Sequence, residues 1–310
     1  MRIAAPETSA LAPVARAGRG DSPWRRFAAE FAESRLALVG LGVLVALVAI
    51  ALAAPFISPQ NPYDLAQLDV LDSKLPPGEP SSSTAKPYWL GTDDQGRDML
   101  SAIFYGLRIS LSVGVASTVI ALAIGLVLGL AAAYFGGWVD TAIMRVADIQ
   151  LSFPAILIAL ILLAILGQGV GKIIAALVTV QWAYYARTVR SSALVERQKE
   201  YIEAAQVLAL SQPRIVLRHL LPNCLPPLIV VATVQVAHAI SLEATLSFLG
   251  LGLPITEPSL GLLIANGFQY LLSGKYWISF YPGVALLATI VAINLVADQL
   301  RDVLNPRLKK

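Results

Sequence analysis

ISLSVGVASTVIALAIGLVLGLAAAYFGGWV, residues 109–139, runs from Arg108 to Asp140 without one Asp, Glu, Lys or Arg. A helix that crosses a bilayer needs about 20 mostly apolar residues, and this stretch exceeds that length. It has none of the strict alternation of a β-barrel strand. Charge-free intervals of the same kind lie between Arg35 and Asp64, Asp148 and Lys172, Arg218 and Glu243, and Lys275 and Asp298. The interval from Lys172 to Arg187 is shorter, and Trp182, Tyr184 and Tyr185 extend it as an interfacial aromatic belt. Six spans are predicted, near 36–57, 109–134, 143–166, 172–189, 224–248 and 279–298. The fold class is all-α integral membrane.

Composition agrees. Of 310 residues, 56% are hydrophobic and 14% charged, with a mean hydropathy of +0.68; soluble domains carry about 25% charged residues. One cysteine, Cys224, excludes a disulfide scaffold. Two histidines and one cysteine speak against a His/Cys zinc site. A net charge of +3 gives no footprint for nucleic acid. The expected surroundings are membrane lipid.

Lys and Arg set the orientation. With the N-terminus in the cytoplasm, 17 of the 23 basic residues fall inside, among them Arg25, Arg145, Arg187, Arg190, Arg214 and Arg301, and 6 fall outside. This positive-inside bias puts both termini in the cytoplasm. The first apolar run follows about 35 residues and is longer than a signal-peptide core, so it reads as a retained span. The chain then divides into a cytoplasmic tail (1–35), a first transmembrane helix (36–57), an extracytoplasmic loop (58–106) and a helical core (107–310). The core carries an inside loop at 190–222 and a second outside loop at 250–278. Residues 1–23 read as disordered. Six prolines, from Pro59 to Pro87, make the first outside loop mostly non-helical.

The inside loop carries the most information. Lys199 to Leu210 forms a short helix with Ile202, Ala205 and Ala209 on one face and Lys199, Glu203 and Gln206 on another. Pro213 opens a second short helix at its first position. The loop is either a docking surface, which the small alanines let a partner approach, or an amphipathic loop resting on headgroups. Gly125 and Gly129 form a GxxxG, and Ser110, Gly114 and Thr118 repeat small residues at the same interval; these pack within the chain or against a partner. GQGVGK (167–172) lacks the first Gly and the Ser/Thr of a nucleotide-binding loop and reads as a turn. Arg145 with Asp148, and Asp298 with Arg301, are spaced for structural ion pairs. His238 and Glu243 lie inside the fifth span and are translocation-path candidates. For His238 a buried hydrogen bond is the favoured role over a substrate contact.

Glu203-Ala204-Ala205, followed by Ala209 and by Leu221-Pro222, resembles the EAA loop of ABC-importer permeases. LGTDDQGRD (90–98) with GLRISL (106–111), DIQLSFP (148–154) and LSFLGLG (246–252) resemble segments of the dipeptide, oligopeptide and nickel branch. The likeness spans residues 88–310, and the long first outside loop resembles the second of the two permease subunits. It implies a type I ABC-importer permease fold and a peptide substrate, moved across the bacterial inner membrane by alternating access. Coupling to the ATPases would fall to Glu200, Glu203, Ala204, Ala205, Leu208, Ala209, Leu210 and Ser211. The implied partners are a homologous permease, two ATP-binding subunits and an extracytoplasmic solute-binding protein. The chain itself would be no enzyme and would bind no cofactor, with ATP and Mg held by the ATPases. Ala209 stands where the family has Gly, so the backbone there is expected to stay helical or the turn to shift. Glu243 lies in a stretch shared with the family, which implies architecture more than substrate choice. A secondary transporter would need intramembrane charges for ion coupling, which the spans hold sparingly. A membrane hydrolase would need a nucleophile, a base and an orienting partner, and there is no Gly-x-Ser-x-Gly elbow.

Overall fold

The computed structural model describes residues 23–64, 68–83 and 85–304. The expected tail up to residue 22, and the basic end with Arg307, Lys309 and Lys310, lie outside the described residues. The apolar runs become helices: α1 (Pro23–Ala32), α2 (Arg35–Ile57), α3 (Met99–Phe135), α4 (Gly137–Leu151), α5 (Ala155–Leu166) and α6 (Val170–Arg197). After these come α7 (Glu200–Val207), α8 (Gln212–Arg214), a π-helical turn (Ile215–Leu220), α9 (Leu221–Phe248), α10 (Leu260–Phe268) and α11 (Trp277–Leu304). Among the described residues four helical segments are long and apolar enough to cross a membrane: Arg35–Ile57, Met99–Phe135, Gln212–Phe248 and Trp277–Leu304. A fifth is reached if α4 and α5 count as one bent span.

Several expected boundaries are corrected. The third span is not one helix: α4 and α5 meet at 90°. Pro154 lacks an N–H and biases Phe153 away from the helical region, so the ladder stops at Ser152. The fourth span is a 28-residue helix that continues through Arg187, Arg190 and Arg197, which makes it too polar to pass as a span by composition. Tyr185 is no interfacial residue, being fully buried, and Trp182 donates from Nε1 to Gln150 at 2.7 Å. The second short helix of the inside loop is the foot of the fifth span, because α8, the π turn and α9 run on continuously from Gln212. Pro213 is its second residue, not its first. The first outside loop ends at Asp98, where α3 begins eight residues before the expected core. A helix at residues 23–32 occupies part of the expected tail, and α10 occupies the second outside loop.

α3 contributes to three packed clusters. Met99, Leu107 and Ile240 join with Trp277 and Ile293 at one end. Val113, Leu163, Leu177 and Leu246 fill the middle. Ala121, Leu130, Tyr185 and Leu228 fill the other end. The GxxxG packs within the chain: a Cβ on Gly125 would stand 2.4 Å from Tyr185 Cβ, and one on Gly129 2.6 Å from the Ala186 carbonyl. Lipid offers no hydrophobic drive between helices, so such close backbone approach is how they associate. Gly114 does the same for α9 against Ile240, and Ser110 donates to the buried Glu243 at 3.0 Å.

The described residues between α2 and α3 form a tied cap. Arg97 and Asp93 form a buried ion pair at 2.6 Å, and Arg97 Nη1 reaches the Ile255 carbonyl. Asp98 caps α3 by accepting from the Ser101 amide at 2.9 Å, while Gln60 accepts from the Asp98 amide at 2.6 Å. Thr92 donates to the Asp72 carbonyl, and Trp277 on α11 donates to the Thr92 carbonyl. Burial opposes the charge on Asp72, yet hydrogen bonds from Ser82, Ser81 and Tyr88 hold its carboxyl below the ordinary range. The LGTDDQGRD stretch is therefore a knot that joins α3 to α11.

Replacing Gly125 by Val is expected to destabilise the protein by about 1–3 kcal/mol, the usual cost of overpacking. Gly42 faces open space in the interior of α2, and Gly42→Ala is expected to keep stability or raise it by up to about 1 kcal/mol. Thermal unfolding in detergent compares the two; equal effects would contradict the close α3–α6 packing.

Candidate functional site

α7 begins after Lys199, and Glu200 and Glu203 fall in its first turn, where the helix dipole favours negative charge. Ile202 and Ala205 turn inward and pack on Ile215 and Leu210. The opposite face is bare: Glu200, Glu203, Ala204, Val207 and Leu208 are exposed, Val207 at 87% and Leu208 at 73%. Ala205 is thus buried inside the loop and gives a partner no room, contrary to the expectation for both alanines. Val207 was missed by sequence reading; its place beside Leu208 makes an exposed apolar edge only once the helix ends there.

The helix ends in a left-handed turn carried by Ala209, at φ +52°. Ala209 N–H donates to the Gln206 carbonyl at 2.9 Å, and Leu210 N–H to the Ala205 carbonyl at 3.2 Å. These two bonds, with Leu210 folded back on Ala205, make a complete Schellman cap. Neither expected escape occurs: the backbone does not stay helical and the turn does not shift. Ala takes a conformation that Gly adopts at less cost. Ser211 then precedes the foot of the next helix.

Below this, Arg197 donates from Nη1 to the Ala133 and Tyr134 carbonyls at the end of α3, at 2.8 and 3.2 Å. Glu196 accepts from Lys199 Nζ at 2.6 Å and from the Tyr201 hydroxyl at 2.7 Å. Asn223 donates from Nδ2 to the Tyr201 hydroxyl at 3.1 Å and to the His219 carbonyl at 2.7 Å. The expected Arg145–Asp148 pair is not made. Asp148 pairs across to Arg187 on α6, and Asp140 pairs with Arg190. Both arginines stand on the neighbouring helix, α6, and reach the two acids of α4.

A groove of about 1110 Å³ opens between α6, α9 and α11. Its walls carry Glu196 and Lys199 from the α6 end, Asn223 and Gln235 from α9, and Asp298 and Arg301 from α11. Among the described residues Asp298 and Arg301 are not paired with each other, contrary to expectation. Gln235 is buried, and its Nε2 has no partner. Exposed positions of α9 recur at Asn223, Pro227, Val234, His238 and Thr245, one face of the helix. His238 therefore stands one turn beyond the groove on the same face, exposed rather than buried. Glu243 is fully buried, accepts from Ser247 as well as Ser110, and lines no part of the groove.

Residues 121–310 match the family described as binding-protein-dependent transport system inner membrane component. Residues 22–77 match the N-terminal TM domain of oligopeptide transport permease C. The chain belongs to this family. It is accordingly a multi-pass protein of the bacterial inner membrane. A Brucella suis protein, named provisionally as a peptide transport system permease, is 40% identical over 290 residues, 94% of each chain. The glutathione transport system permease protein GsiD of Pectobacterium atrosepticum is 36% identical, covering 97% of this chain and 96% of its own. The dipeptide transport system permease protein DppC of Bacillus subtilis is 35% identical, covering 93% and 85%. An inward-facing structure of the MetNI methionine ABC transporter matches with a TM-score of 0.54 at 22% identity, covering 67% of this chain and 98% of that one. That likeness bears on the fold.

Ala209→Gly is expected to leave the protein as stable or stabilise it by up to about 1 kcal/mol, because relief of the left-handed strain outweighs or cancels the added freedom of the unfolded chain. Unfolding of the purified permease measures this. A loss of about 1 kcal/mol, as in a helix interior, would contradict the Schellman cap.

Proposed function

We propose that this permease is one transmembrane subunit of an ATP-driven importer that moves peptides into the cytoplasm. It would pair with a homologous permease, dock on two ATP-binding subunits and receive its cargo from an extracytoplasmic solute-binding protein. Six membrane crossings, with α4–α5 and α6 as the third and fourth, would leave both termini and α7 in the cytoplasm. The positive-inside count supports that orientation.

One observation carries the reading. An exposed acidic helix, α7, adjoins a groove with charges of both signs, starting next to Lys199 of its wall and bonding through Tyr201 to Glu196 and Asn223 of that wall. Glu200 and Glu203 would meet basic residues of an ATPase, an arginine fork suiting a carboxylate best. Ala204, Val207 and Leu208 would fill an apolar slot beside them, with Ala205, Ala209, Leu210 and Ser211 shaping the turn. ATP and Mg would be bound by the ATPases alone. Their closure would push α7 and open the cavity outward, a rigid-body form of alternating access. The groove would be the cytoplasmic half of the path. A peptide has an ammonium and a carboxylate, which suits Asp298 and Arg301 on one wall, and backbone amides, which suit the free Gln235 amide. His238 would meet the cargo further along the same face. The relatives named for dipeptide and glutathione transport agree in cargo chemistry. Glu243 would hold α3 to α9 and take no part in transport.

The test is reconstitution with the matched permease and ATPases in lipid vesicles. ATP hydrolysis is expected to rise with a peptide-loaded binding protein and to lose that rise in Glu203→Arg, which sets like charges against each other. Failure of the native chain to associate with any ATPase would overturn the proposal.

A further inference from the structure

Tyr201 is the one residue of α7 that joins the docking helix to the groove by side-chain hydrogen bonds among the described residues. Its hydroxyl donates to Glu196 Oε2 at 2.7 Å and accepts from Asn223 Nδ2 at 3.1 Å. Glu196 stands in the last turn of α6 and Asn223 in the first turn of α9. Both line the groove, and Tyr201 does not. We propose that Tyr201 is a positioning residue: its hydroxyl latches Glu196 and Asn223 to the docking helix, so that movement of α7 is delivered to the two sides of the groove mouth. The inference rests on the importer reading of α7 and deepens it.

Three features make the link directional. First, both bonds converge on one oxygen, so α7 cannot shift without straining or breaking both together. The donated bond ends on a carboxylate and belongs to the stronger, charge-assisted kind. Second, the phenol stays a donor, because burial and then the neighbouring Glu196 push its pKa up to about 12. Third, the helix that carries Asn223 can yield at a defined place. The π turn Ile215–Leu220 lies between Ile215, on which Ile202 of α7 rests, and Asn223. Pro222 follows it and lacks the N–H that would close an ordinary turn. Wider turns of this kind interrupt helices at functional sites. Apolar packing thus ties α7 to the near side of the π turn, and the Tyr201 hydroxyl ties it to the far side. A shift of α7 would change the angle between the two.

Release of the latch also changes the groove. Glu196 would keep Lys199 but lose one donor, and Asn223 would lose one acceptor. Both polar ends then face the cavity, where a passing peptide carries a donor ammonium and acceptor carbonyls. The latch therefore sets when the mouth of the groove offers hydrogen bonds to cargo.

The test uses the reconstituted transporter and a radiolabelled dipeptide with its binding protein. Tyr201→Phe keeps the ring and removes only the hydroxyl. It is expected to keep the ATPases bound, keep basal ATP hydrolysis and its KM for ATP, and lower peptide imported per ATP roughly tenfold, the scale of one lost hydrogen bond to a charged group. Asn223→Ala should lower the same ratio, and the double variant should lose no more than the worse single variant, since the two act through one contact. A native-like ratio in Tyr201→Phe would overturn the latch while leaving the importer reading intact, as would fully multiplicative losses in the double variant. If the native complex itself neither binds ATPase nor imports peptide, the importer reading fails and the latch with it.

Discussion

Gly125 and Gly129 bring the backbones of α3 and α6 closer than any side chain would allow. The placement of α7 follows from that contact. It fixes the end of α6 beside the end of α3, where Arg197 caps the Ala133 and Tyr134 carbonyls. α7 starts three residues later and so hangs from a fixed point. Thr118 and Gln181 add a polar contact along the same seam at 3.3 Å. In hydrocarbon this seam has only packing and hydrogen bonds to hold it, and the sequence supplies both at a helical spacing.

Against this rigid pair, the polar groups of the molecule divide in two. Glu243 is sealed between α3 and α9 with serines on its carboxylate, and the Arg97–Asp93 pair is sealed in the outer cap. Removal of one partner there would leave a buried group unsatisfied, so these sites resist movement. The groove is the opposite. Its acids, bases and amides sit on or just beyond three helices, with the Gln235 amide unpartnered among the described residues and the face of α9 running on past Val234 to His238. Static polar groups hold the scaffold together; free ones line the place where cargo would pass.

Much of this was legible in the sequence. Charge-free intervals mark the long helices but not all of their ends: α3 begins nine residues before Arg108, and α6 runs ten residues past Arg187. The GxxxG and the inside helix were readable because helical periodicity is local. What escaped depends on distance in space. Asp148 turns from Arg145, its neighbour on α4, to Arg187 across on α6. α10 lies in a loop whose Gly261 and Gly267 press on Ala244 and Ser279, contacts that no local pattern announces. Ala209 misled because local preference argued against a left-handed residue there, while the Schellman bonds and Leu210 packing impose one. His238 misled in the other direction: a buried partner was expected, and its face of α9 is bare.

The groove as the inward-open half of a transport path is the central claim, and thiol labelling at Val234 tests it most directly. In the assembled transporter, with the buried Cys224 replaced (Cys224→Ser) and Val234→Cys introduced, a membrane-impermeant maleimide is added from the cytoplasmic side. Labelling should be rapid without nucleotide and suppressed when ATP hydrolysis is trapped with vanadate and the ATPases are held closed. Equal labelling in both states would contradict the assignment, because a path that alternates cannot stay open to the cytoplasm throughout the cycle.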